Sequence, residues 1–162
     1  MDLKEMITKR RSFRKYTNEP VGEELLARIM AFAKSAKPLL PGIGVHMEVV
    51  TKEQVRFMLP WKTPQLIAIY SEPKEGYLEN AGFILQQIDL YIQSLGLGSC
   101  WFHGKGRTAA DGRPTDQYLH ELLGYPAHYS VLASLVIGCI DEHPEPHNPE
   151  KLPMEKVHWE TY

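Results

Sequence analysis

The chain has 162 residues, 43% of them hydrophobic and 23% charged, with a formal net charge of −2. This is the length of a single domain, with apolar material for a core of its own, and the small net charge argues against a dedicated nucleic-acid binder. Two distant cysteines, Cys100 and Cys139, form no CxxC pair, which argues against a disulfide framework and fits a reducing cytoplasm. No apolar run approaches the ~20 residues that span a bilayer, and the opening Met1 to Glu5 lacks the apolar stretch of a signal peptide.

Leu3, Met6 and Ile7 form a short helical stripe at the start. Thr17-Asn18-Glu19-Pro20 breaks it, and residues 22–34 then read as a helix with Leu25, Leu26, Ile29, Phe32 and Ala33 on one face. Residues 38–44, with two prolines and two glycines, form a loop. His46 to Thr51 is a predicted strand and 53–58 a short helix. Gln65 to Tyr70 is nearly continuous in apolar residues and reads as a buried strand. The clearest element is a helix over 77–95, in which Ala81, Ile84, Leu85, Ile88, Ile92 and Leu95 recur at three- and four-residue steps. Gly96-Leu97-Gly98 ends it. Ser99 to His103 is a short strand, 104–114 a Gly-rich loop, and 115–123 a helix closed by Gly124. Ser130 to Ile140 is a long strand, and 141–162 an extended tail with four prolines. The elements lack a regular βαβ rhythm, so the expected class is α+β, one domain over 1–162 with helices packed on a sheet.

Charge is unevenly spread. Residues 1–16 hold six cations and two anions, and residues 141–162 hold six anions and two cations. The head and tail can attract each other, or the head can await an anionic ligand. Within the head, Arg10-Arg11-Ser12-Phe13-Arg14 places three guanidinium forks and a hydroxyl in five residues, the groups a phosphate dianion needs. Arg10 and Arg14 share a face if the helix continues through them. On spacing alone a solvated cationic surface is the plainer reading.

Other motifs carry less. Gly96-Leu97-Gly98 follows a helix and precedes a strand, the reverse of the dinucleotide-binding order. His103-Gly104 ends a strand, leaving a backbone amide beside an imidazole. Cys100 lies in a predicted buried strand with no neighbouring base, which suits an inert thiol. Pro144 and Pro146 prevent His143 and His147 from facing one metal across a helical turn, so no metal site is expected.

Taken in order, these stretches resemble the nitroreductase family of FMN-dependent oxidoreductases. Arg10 to Arg14 followed by Tyr16, Pro20-Val21 and the 22–34 helix is similar to that family's opening. Thr63-Pro64 before a strand, the 82–101 helix and strand with Gly-Leu-Gly-Ser-Cys-Trp at 96–101, Leu122-Leu123-Gly124-Tyr125-Pro126, the strand to Gly138 and the closing Pro153 to His158 follow the family's order. The match is to an abbreviated branch, because the stretch between residues 45 and 80 is short.

The resemblance implies an α+β fold with a mixed, mainly antiparallel sheet flanked by helices. It implies a homodimer with FMN at the interface. By position, Arg10, Arg11 and Ser12 would hold the phosphate and Arg14 would approach the pyrimidine edge of the ring. His103 and Gly104 match the pair whose backbone nears flavin N5, and Lys151 matches a basic residue of the tail. The family's Ser-x-Asn-x-Gln-Pro-Trp segment beside the flavin is replaced here by Pro38 to Val45, where backbone groups of Leu39 and Leu40 stand in for the missing side chains.

The implied activity is reduction of a nitroaromatic, quinone or other flat small-molecule acceptor with NADH or NADPH, in a ping-pong cycle. The flavin carries the chemistry, so no catalytic side chain is required. Two rivals remain at this stage. One is a non-catalytic protein that binds or sequesters flavin, and the other is an interaction module whose basic head docks on a partner copy's acidic tail. No membrane or nucleic-acid partner is expected.

Overall fold

Helical and strand periodicities fall where the sequence sets them. The computed structural model of the chain describes residues 3–55, 65–103 and 112–142. In chain order these hold α1 (Leu3–Lys9), α2 (Glu23–Ser35), β1 (Val45–Thr51), α3 (Lys52–Val55), β2 (Gln65–Ser71), α4 (Tyr77–Ser94), β3 (Gly98–Phe102), α5 (Thr115–Leu123) and β4 (Ser130–Gly138). The predicted 53–58 helix is therefore seen only as α3, and its remainder lies outside the described residues, as do the 104–111 loop and 143–162 of the tail.

The described strands form one sheet in the order β1-β2-β4-β3, and all three ladders are antiparallel. β2 is buried at every position, which explains its unbroken apolar run: both of its faces are covered. Side chains alternate between the faces. Ile67 and Ile69 of β2 with Leu135 and Ile137 of β4 meet Ile84, Leu85, Ile88 and Ile92 of α4 and Ile29 and Ala33 of α2. Leu66, Ala68, Tyr70 and Val136 point the other way, into a second cluster with Tyr16, Val50, Phe102, Leu119 and Tyr125. The molecule thus has two hydrophobic layers with the sheet between them.

α4 is the longest helix among the described residues and packs against α1, α2 and three strands. Its buried face is not wholly apolar, because Asn80, Asp89 and Gln93 lie within it.

β4 ends at Gly138, two residues before the predicted limit. Beyond it the chain pairs with the head instead. Tyr16 bridges Ile140, the Thr17 N–H donates to the Cys139 carbonyl (3.0 Å), and the Asp141 N–H donates to the Lys15 carbonyl (3.1 Å).

Candidate functional site

α1 stops at Lys9, with the Arg10 N–H still donating to the Met6 carbonyl (2.8 Å). The helix does not run through the arginines, so Arg10 and Arg14 do not share a helical face. The chain instead crosses the outer edge of β3, where the Phe13 N–H donates to the Ser99 carbonyl (3.0 Å). Gly98 permits this approach, since a Cβ there would lie 3.0 Å from Phe13 Cβ and 3.0 Å from Ile140 Cγ1.

Each arginine is then held differently. Arg10 Nη1 reaches Asp89 Oδ2 of α4 at 3.4 Å, and the Asp89 side chain is wholly buried. Arg11 is fixed through its backbone: its N–H donates to Gln93 Oε1 (3.0 Å), and its carbonyl accepts from Gln93 Nε2 (2.7 Å). The Arg11 Nη1 turns back to the carbonyls of Arg10 (2.9 Å) and Thr8 (3.4 Å). Its Nε is buried with no hydrogen-bond partner among the described residues. Arg14 is exposed, and its N–H and that of Lys15 converge on Glu142 Oε1 at 2.6 and 3.2 Å. Of the tail's six anions, Asp141 and Glu142 lie among the described residues, and Glu142 meets the head through these two backbone N–H groups.

Behind the arginines sits Cys100. Burial pushes its thiol up from its ordinary value, against the lowering effects of the Arg14 cation, a hydrogen bond with Ser12, and Arg10. It is protonated at neutral pH, as suits an inert structural thiol. Tyr16 is buried beside it, its hydroxyl donating to the Phe13 carbonyl (2.5 Å), and burial raises its phenol so far that it stays neutral. Among the described residues no cluster of His, Cys, Asp or Glu could hold a metal ion.

The hub beneath the head was not legible as a site. Asp89 accepts from Arg10, from the Ser99 hydroxyl, from Trp101 Nε1 (3.1 Å) and from Gln93 Nε2 (3.4 Å). Gln93 Nε2 also donates to Ser99 Oγ (2.7 Å). The only sequence signal is that these polar residues interrupt the apolar stripe of α4.

A second group of residues lies towards the opposite end of α4. Leu39 and Leu40 are exposed on the loop before β1, and the Leu40 N–H donates to Asn80 Oδ1 (2.8 Å). Gln87 clasps the same loop through both backbone groups of Lys37. His103 is exposed one residue beyond β3. Gly104 and Lys151 lie outside the described residues.

Asn80 and Asp89 are nine residues apart on α4, a rise of about 13 Å. Ser99 and His103 are four apart along β3, also about 13 Å when extended. The register gives the direction: β3 runs from Gly98, opposite Gly138, to Phe102, opposite Ser134, and so points to the sheet end where β4 starts at Ser130 beside Ser71 and Val45, the end from which the chain enters α4.

A family model described as "Putative TM nitroreductase" matches residues 2–143. Among solved structures, an FMN-dependent nitroreductase from Clostridium difficile R20291 is 30% identical, with a TM-score of 0.81 over 97% of this chain and 98% of that one. A nitroreductase with bound FMN from Desulfitobacterium hafniense DCB-2 is 23% identical, with a TM-score of 0.80 over 98% of each chain. NfrA2 of B. megaterium is 23% identical, with a TM-score of 0.76 over all of this chain and 76% of its own. No curated protein matches. A family match over most of the chain, a fold shared at full length and an arginine cluster seated beside β3 agree: the chain belongs to the nitroreductase family.

Proposed function

We propose that this chain is an FMN-dependent oxidoreductase that takes reducing equivalents from NADH or NADPH and passes them to a nitroaromatic, quinone or other flat acceptor in a ping-pong cycle. The observation that carries the reading is the Arg10–Arg14 segment, which brings three guanidinium forks and a hydroxyl into five residues and whose buried Arg11 Nε has no hydrogen-bond partner among the described residues. An anion seated there satisfies that donor, and an unsatisfied buried donor is costly. The residues present therefore fit a phosphate group.

In this reading Arg10, Arg11 and Ser12 hold the phosphate of FMN. When bound, FMN supplies the hydride chemistry. Arg14 stabilises negative charge at the pyrimidine edge, and the backbone of His103 and Gly104 approaches N5. Leu39 and Leu40 flank the ring. Because the Leu40 N–H is already used by Asn80, Leu40 offers a ring its carbonyl oxygen and apolar contact. Lys151 adds a further cation for the phosphate. The working unit is a homodimer with cofactor at the interface, as the family resemblance implies. Two free cysteines suit a reducing cytoplasm.

The loss of polar side chains from residues 38–45 supports one rival, a protein that binds flavin without turnover. The two readings separate by absorbance. Protein loaded with FMN is expected to bleach with NADH or NADPH in the absence of air and to recover its colour when a quinone or nitroaromatic is added. Protein that binds FMN but resists bleaching is a flavin-sequestering protein, and protein that takes up no FMN overturns both readings. Within the site, Arg10→Glu is expected to weaken FMN binding at least tenfold, the order of a lost charge-assisted pair. Lys34→Glu, on the exposed end of α2, is expected to leave it unchanged. Equal affinities in a flavin-fluorescence titration would remove Arg10 from the site.

A further inference from the structure

We propose that Asp89 is a positioning residue that holds the phosphate-binding fork of Arg10 from inside the protein and ties it to strand β3. This rests on the reading of the Arg10–Arg14 segment as a phosphate site. Asp89 is fully buried in α4 and receives four donors: Arg10 Nη1, the Ser99 hydroxyl, Trp101 Nε1 and Gln93 Nε2. A carboxylate in such a place needs that many partners, because an unpaired buried charge is strongly unfavourable. An aliphatic residue in the middle of the helix would pack there without any of them. The charge is thus an expensive solution for stability alone, which points to what it holds.

Arg10 is the cationic member of the set and the only one on the head. Its side chain keeps about a quarter of its surface in solvent (28%), while that of Asp89 is closed off. One end of the guanidinium is therefore anchored inward and the rest of the fork is left for an external oxyanion. Anchoring removes rotamer freedom from a long side chain before any ligand arrives, which is the usual gain from preorganisation. Through Ser99 and Trp101 the same carboxylate grips β3, the strand that leads to His103. The fork is thereby held in register with the other end of the site.

Two effects oppose each other when the charge is removed. Loss of the anchor weakens phosphate binding, and loss of a nearby negative charge strengthens it. Salt weakens the second only where it acts through solvent, so the titrations are run at both low salt and about 0.5 M salt and the expected fall is read at the higher. FMN and riboflavin are titrated in parallel, since they differ only in the phosphate. For Asp89→Asn, which keeps the shape of the side chain, FMN affinity is expected to fall about tenfold, with riboflavin affinity unchanged. In an Arg10→Gln background the same substitution is expected to add nothing, because Asp89 acts through Arg10. Ser99→Ala, a milder loosening of the same hub that keeps the carboxylate, is expected to give a smaller loss, again confined to FMN.

Equal losses for FMN and riboflavin, additive losses with Arg10→Gln, or unchanged or tighter FMN binding in Asp89→Asn would each overturn the proposal, because a residue needed only for folding gives those results. The wild-type titration separates the two levels of inference. A wild-type protein with no preference for FMN over riboflavin overturns the phosphate site and the role of Asp89 with it. A clear preference that survives Asp89→Asn overturns the role of Asp89 alone.

Discussion

At the scale of single residues, the order of the arginine segment is supplied by two polar side chains of α4. Gln93 replaces a missing β-ladder: its amide accepts from the Arg11 N–H and donates to the Arg11 carbonyl, as a neighbouring strand would. Gln93→Leu keeps the volume and removes both partners, along with the bond to Ser99. It is expected to cost about 2–3 kcal/mol, the penalty for stranding backbone groups in a largely buried place. A urea titration should show a lower midpoint with an unchanged slope, and a midpoint shift of under ~0.5 kcal/mol equivalent would show that water replaces the amide. The arginines were legible in the sequence because charge density is a local property. Asp89 and Gln93 were not, since their partners on the head lie 79 and 82 residues away. In the one-dimensional pattern they look like flaws in a hydrophobic stripe.

At the scale of elements, the loop over 36–44 is set by the start of α4. Gly76 precedes that helix with φ 76°, a left-handed conformation that L side chains rarely adopt, and a Cβ there would collide with Leu40 Cδ1. Gly76→Ala is expected to lose about 1–2 kcal/mol from the backbone alone. It should also displace Leu40 from Asn80. Pairing it with Leu40→Ala should recover the part due to collision, so the two changes are expected to be non-additive in chemical denaturation; strict additivity would mean that only the backbone matters. Most elements were readable to within a residue or two, α4 from its helical period and β2 from its length and flanking turns. The end of β4 was read two residues too far. Cys139 and Ile140 suit a strand, and sequence pattern does not tell whether such residues extend a long strand or pair with the head, as the chain does here at Lys15 to Thr17.

At the scale of the whole molecule, the sheet separates an aliphatic layer under α2 and α4 from a layer rich in tyrosine beneath α5. That second layer should govern the response to alkali. Tyr16, Tyr70 and Tyr125 are buried in it, and burial is the first cause of a raised phenol in each; Tyr125 is pushed up to about 12. Cys100, also buried, is raised for the same reason. The sign follows from which state holds its protons. The unfolded chain releases thiol and phenol protons near the ordinary values of 9.0 and 10.0, while the folded chain retains them. Between the two limits the unfolded state is favoured by proton release, so this contribution is fully present below about pH 9 and is lost as the pH rises towards 12. The thermal midpoint is therefore expected to be flat from pH 7 to 9 and to fall steadily from pH 10 to 12. Tyr125→Phe cannot release a proton in either state, so it should start lower for want of the bond from its hydroxyl to the Asp116 carbonyl (3.1 Å), yet fall less steeply. Parallel curves for the two proteins above pH 10 would show that Tyr125 is not among the groups that couple folding to pH.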